Sequence, residues 1–101
     1  MFEVLRTPQF GAWVAALRDE TAQALVASRI DRLAAGSFGD VKSVGSGVME
    51  ARIHHGPGYR LYFTRRGREL ILMLAGGDKS SQRRDIEAAI KIRSEIMGAE
   101  K

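Results

Sequence analysis

The chain contains no cysteine. Disulfide staples and thiol catalysis are therefore excluded, and a reducing compartment such as the cytoplasm is the expected setting. Long apolar runs are also missing. The longest, Leu70 to Ala75, falls far short of the roughly 20 residues that cross a bilayer. The start, Met1-Phe2-Glu3-Val4, has neither the basic region nor the apolar stretch of a signal peptide. Histidine is scarce: His54 and His55 are the whole supply, and they are adjacent. Neighbours on an extended chain point to opposite faces, so they make no metal pair. No carboxylate cluster or histidine spacing fits a metal site, and no metal or other cofactor is expected.

What is present fits one small domain. The 101 residues can bury roughly 60–70% of the unfolded chain's surface, enough for one modest core. The basic charge is concentrated. Residues 52–84 hold eight Lys or Arg against two acids, +6 on that stretch, whereas the whole chain carries +4. An anionic partner is indicated, either nucleic acid or an acidic protein.

Helical signals come first. Phe2 to Leu5 reads as a short strand. Thr7-Pro8 is an N-cap followed by proline at the first helical position, and Phe10, Trp13, Val14 and Leu17 then mark one apolar helical face. Asp19-Glu20-Thr21 restarts a helix whose buried stripe is Ala22, Leu25, Val26, Ile30 and Leu33, with Gly36 at its end. The two helices are expected to form a helical hairpin. Val41 and Val44 suit a short strand, and Gly45-Ser46-Gly47 a turn.

From Val48 the period changes to two. Met49, Ala51 and Ile53 share one face with Tyr59, Leu61 and Phe63, which is expected to pack on helices. The other face collects Glu50, Arg52, His54, Arg60, Tyr62 and Thr64. Leu70 to Ala75 reads as a central strand and Gly76-Gly77 as a strand-to-helix turn. A last helix runs from about Ser81 to Met97 with the stripe Ile86, Ala89, Ile90, Arg93 and Met97. The expected fold class is α+β: two N-terminal helices on a twisted antiparallel sheet of about four strands, with a C-terminal helix.

Two arginines, a tyrosine and a histidine on one face, with Lys79 just past the next strand, suit RNA. Guanidinium groups hold phosphate bidentately, and an aromatic ring can stack on a base. Metal-free cleavage is also within their chemistry: the ribose 2′-OH attacks the adjacent phosphate, a base takes the proton, and cations stabilise the added charge. Arg65, Arg66, Ser80, Arg83 and Arg84 complete the candidate RNA-binding set. Each also has a plainer reading: Arg52 and Arg60 as strand residues paired with Glu50 or Glu69, Tyr62 as a sheet aromatic, and the serines as caps of the last helix.

Several segments carry a resemblance in their joint order and spacing: Asp40-Val41-Lys42, Glu50-Ala51-Arg52-Ile53, Gly56-Pro57-Gly58-Tyr59-Arg60-Leu61-Tyr62-Phe63, and Gly76-Gly77-Asp78-Lys79-Ser80-Ser81-Gln82 with Asp85-Ile86 beyond. Across nearly its whole length the chain resembles the RelE/ParE superfamily of type II toxin–antitoxin toxins, in the HigB-like branch of addiction-module killer proteins. The resemblance implies a ribosome-dependent endoribonuclease that cuts mRNA. It also implies a cognate antitoxin, usually a small helix-turn-helix protein, through which alone operator DNA is contacted. It casts Arg60 as the phosphate and transition-state cation, with Arg52 and Lys79 as further cations. Some ribonuclease members carry a tyrosine near the C-terminus, and this chain has none after Tyr62. His54 is then the first candidate base, followed by Lys79 and Asp78. ParE-type relatives inhibit DNA gyrase without cutting RNA, and a non-toxic antitoxin-binding module is a third possibility.

Overall fold

A computed structural model describes residues 1–98. The chain opens with β1 (Glu3–Arg6), α1 (Pro8–Ala16) and α2 (Glu20–Ala34). Four strands follow: β2 (Val41–Gly45), β3 (Val48–Ile53), β4 (Tyr59–Arg66) and β5 (Leu70–Asp78). A single 3₁₀ turn, Lys79–Ser81, leads into α3 (Gln82–Gly98). The fold is α+β, with one five-stranded sheet in the order β1-β5-β4-β3-β2.

The sheet differs from the expected antiparallel sheet of about four strands. It has five strands and is mixed, because β1 pairs parallel with β5, Glu3 opposite Leu70 through Arg6 opposite Met73. Thr7 explains the arrangement. Its side chain accepts the Phe10 N–H (3.1 Å), as an N-cap should. Its hydroxyl also donates to the Leu74 carbonyl (2.7 Å), and its N–H to the Met73 carbonyl (3.0 Å). Leu74 has no opposite number in the β4–β5 register, where Tyr62 faces Ala75 and Phe63 faces Met73. The cap of α1 is thus anchored on a β-bulge.

Other local signals act as expected. Asp19 caps α2 through the Thr21 and Ala22 N–H groups. After α2, Gly36 takes φ +85°, and paired bonds run from Gly36 N–H to Leu33 O and from Ser37 N–H to Arg32 O. This is a Schellman closure, which favours glycine at the left-handed position. The two N-terminal helices both rest on the sheet, α1 chiefly on β5 and β1 and α2 on β1, and Phe10 of α1 shares one core cluster with Val26, Ile30 and Leu33 of α2.

Two apolar layers result. Phe10, Val26, Ile30 and Leu33 pack on Ala51, Ile53, Leu61, Phe63, Ile71 and Met73 on one face of the sheet. On the opposite face, Ala89, with Ile86, Ile90 and Ile92, packs on Val48, Tyr62 and Leu74. Each fully buried large side chain contributes about 1.5–3 kcal/mol. The face that collects Glu50, Arg60, Tyr62 and Thr64 is therefore covered in part by α3, because the stripe on that helix needs a partner and the first face is already occupied.

Arg93, which interrupts that stripe, is explained by a polar relay. Its Nε donates to Thr64 Oγ1 (3.0 Å), and the Thr64 hydroxyl donates to the Gly47 carbonyl (2.8 Å).

Gly76 and Gly77 are paired strand residues, opposite Leu61 and Arg60, rather than a turn. A Cβ on Gly76 would lie 2.2 Å from the Trp13 ring, and one on Gly77 would lie 1.8 Å from Asp85 Oδ2. The strand lacks side chains there because α1 presses on one side and α3 on the other.

A candidate anion site between the central hairpin and the last helix

Antiparallel pairing of β3 with β4 places Arg52 directly opposite Arg60, and Glu50 opposite Tyr62. Like charges opposed across strands are destabilising. Glu50 offsets this. Its carboxylate is fully buried; Oε1 accepts from Arg52 Nε (3.2 Å) and lies 3.8 Å from Arg60 Nη1. Oε2 accepts from Gln82 Nε2 on α3 (2.9 Å). The Arg52 side chain is 31% exposed and that of Arg60 11%. The pairing with Glu50 raised by the plainer reading is present, and it leaves both arginines side by side at a partly open rim.

Arg29 on α2 supports this rim from behind. It is buried, and its Nη2 donates to the Arg52 carbonyl (2.7 Å). Burial lowers its pKa from the ordinary arginine value, the Arg32 charge adds to this, and Asp40 opposes it. Sequence reasoning missed Arg29. Its position three residues after Val26 and four before Leu33 lies on the apolar stripe, and that was the available signal.

Lys79 stands where β5 ends, exposed, with its Cβ beside Gly58 of the β3–β4 turn. Ser80, Arg83 and Arg84 line one open depression with Ser81 and Glu87. Asp78 caps this turn by accepting the Ser80 N–H (2.8 Å), and Ser81 Oγ donates to Asp85. Arg83 is almost fully exposed and has Glu87 Oε1 at 3.9 Å, one helical turn on, a pair of little energetic weight.

Tyr62, Arg65 and Arg66 are placed apart from this rim, and His54 stands at its exposed end, where Asp40 feels both His54 and Arg52. Tyr62 is fully buried beneath α3, so its ring has no free face for a base in this conformation. Its hydroxyl lies beside the Glu50 carboxylate beneath α3. Burial, then the Glu50 carboxylate, pushes its pKa far above the usual tyrosine range. His54 lies past the end of β3, 75% exposed, and its Nε2 is 2.6 Å from Asp40 Oδ2. Arg65 is on the far face of the sheet. Its guanidinium covers Phe2 (4.9 Å) and Phe38 (5.2 Å), which ties the N-terminus and the α2–β2 loop to β4. Arg66, next to it, is exposed at the end of β4. Arg65→Ala is expected to lower stability by about 1 kcal/mol and to leave activity unchanged, as checked by urea unfolding beside a growth assay.

His55 pairs with Asp19 (2.9 Å) and stacks on Tyr59. Three carboxyls are held below the ordinary value of 3.8: Asp19 chiefly by His55, Asp40 chiefly by His54, and Asp78 chiefly by the Ser80 hydroxyl. Depressed carboxyl pKa values stabilise the fold above the unfolded value, and this is lost as pH falls below it. Asp78→Asn should therefore be less stable than the parent at pH 6, with the gap closing below pH 3.8. Urea midpoints measured down to pH 2.5 would show it, and a gap constant with pH would contradict it.

No helix among the described residues is long and apolar enough to cross a membrane, and no group of three or more metal-ligating side chains occurs among them. No protein-family model matches the chain. An uncharacterized protein of Haemophilus influenzae is 40% identical over 94 residues, 93% of this chain and 95% of that protein. The chain belongs to the same family as that protein.

Proposed function

We propose that the chain is the toxin of a type II toxin–antitoxin module, of the RelE/ParE superfamily and its HigB-like branch, and that it cleaves mRNA on the ribosome. One observation carries the reading: a fold with two arginines directly opposed across β3 and β4, and Lys79 just past the end of the adjoining strand β5. Such an arrangement is unfavourable alone and favourable around a phosphate. Arg60 holds the scissile phosphate and stabilises the charge that develops on it, Arg52 supports it, and Lys79 with Arg83 and Arg84 attracts the flanking backbone.

The 2′-OH attacks the phosphorus and gives its proton to His54, the P–O5′ bond breaks to leave a 2′,3′-cyclic phosphate, and the departing 5′-oxygen takes a proton from water. Asp40 at 2.6 Å orients that ring, as a carboxylate orients a base in acyl-transfer triads. The partner that silences the toxin is a small antitoxin. Purified chain added to programmed ribosomes should cut mRNA without added metal, and His54→Gln should lower the rate by roughly 10²–10⁴-fold. Unchanged cleavage by that variant would remove His54 from the reaction.

A second reading, inhibition of DNA gyrase without cleavage, draws support from the burial of Tyr62 and the exposure of His54. That reading leaves the arginine rim without a base. It expects loss of supercoiling activity and intact RNA.

A further inference from the structure

We infer that Glu50 is a positioning residue, and that its buried carboxylate sets Arg52 and Arg60 as a preformed fork for one phosphate group. This rests on the phosphate-binding part of the proposed function.

Glu50 is fully buried at the centre of β3, and its two oxygens meet donors from three elements: Arg52 of β3, Arg60 of β4 and Gln82 of α3. A buried carboxylate is retained only where it is paired and hydrogen-bonded. Here the pairing has a direction. Glu50 takes Arg52 through Nε, the inner nitrogen of the guanidinium, so this contact leaves the terminal nitrogens unused. Arg60 Nη1 lies 3.8 Å from the same carboxylate. Arg52 is thus held through its inner nitrogen, whereas Arg60 faces the same carboxylate through a terminal nitrogen and keeps a buried Nε with no hydrogen-bond partner among the described residues; planar groups held in place lose less freedom on binding phosphate. Gln82 completes the clamp. It fastens the first turn of α3 to the same carboxylate, so Lys79 and the Ser80–Arg84 depression are set relative to the fork.

Simple electrostatics makes the opposite forecast. A carboxylate beside an anion site repels the anion, so its removal should tighten binding. Positioning predicts weaker binding. The sign of the change separates the two.

The test uses the full chain with inorganic phosphate as the probe, read through the arginine Nε–H resonances in a titration. In the parent, the Arg52 and Arg60 signals should shift together and saturate. In Glu50→Gln, which keeps size and removes charge, phosphate should bind at least about tenfold more weakly, with far-ultraviolet dichroism unchanged. Equal or tighter binding would overturn the inference, as would no response of either arginine in the parent. Should Glu50→Gln fail to fold, Arg52→Lys decides. That change keeps the charge and removes the fork, and about tenfold weaker binding is expected, whereas unchanged binding would overturn the inference.

Ribosomal cleavage is assayed in parallel. Phosphate binding that depends on Glu50, without any cleavage by the parent, would sink the nuclease reading and leave the fork in place. Cleavage by the parent with undiminished activity in a folded Glu50→Gln would do the reverse.

Discussion

Arg60→Ala should lower mRNA cleavage on ribosomes by roughly 10²–10³-fold, the usual cost of removing one donor that stabilises developing charge. Arg60 is suited to a large effect because only 11% of its side chain is exposed. Its charge acts through a medium of lower dielectric than water, where each interaction is stronger. The fold should survive the change. Glu50 keeps Arg52 at 3.2 Å and Gln82 at 2.9 Å, so no buried carboxylate is stranded, and the loss of stability should stay below the 3–5 kcal/mol or so that stranding costs. Removal of Arg60 also relieves its repulsion with Arg52 across the strands. Single-turnover cleavage and thermal unfolding of the same preparation check both halves. A folded Arg60→Ala that cuts at the parent rate would remove Arg60 from the site.

The largest effect on stability is expected from Gly76→Ala. Its Cβ would lie 2.2 Å from Trp13 Cε3 and 2.5 Å from Cδ2, atoms of a rigid ring. Trp13 cannot readily retreat, because Phe10 (5.9 Å) and Tyr59 (6.2 Å) brace it. Overpacking of this kind costs about 1–3 kcal/mol, and the upper end is expected here. For a domain of this size each kcal/mol moves the midpoint by roughly 4–8 °C, so a fall of about 10 °C or more should be seen. For Gly77→Ala the nearest atoms belong to the Asp85 carboxylate and the Ser81 hydroxyl, side chains that can swing aside, so its loss should be smaller. Calorimetry that found Gly77→Ala the worse of the two, or Gly76→Ala neutral, would contradict the packing described.

Much of the fold was legible where one residue type answers one local need. Thr7-Pro8, Asp19 and Gly36 mark helix ends through their own backbone chemistry, and the structure uses each of them. The period-two alternation from Met49 to Thr64 holds because β3 and β4 pair without a register shift, so every side chain keeps its face. What failed to show depends on residues far apart. The stripe on α3 was readable, but the side of the sheet it would cover is settled by α1 and α2 having taken the other. That choice buries Tyr62.

The glycines at 76 and 77 looked like a turn because glycine names no partner, and Trp13 is more than sixty positions away. The bulge at Leu74 and the parallel pairing of β1 arise from the Thr7 hydrogen bonds, which no periodicity announces. Arg65 is a different case. It shares the parity of Phe63, so its place on the far face could have been counted from the alternation, whereas its lodging between Phe2 and Phe38 could not.

We propose above all that the opposed arginines cut mRNA as it is translated. Mapping RNA 5′ ends across a transcriptome after brief induction of the chain, with Arg60→Ala alongside, tests it most directly. The expected result is a set of new ends inside translated frames, in register with codons and absent from the variant. Growth arrest with no new ends would contradict it and would direct the next assay to DNA supercoiling.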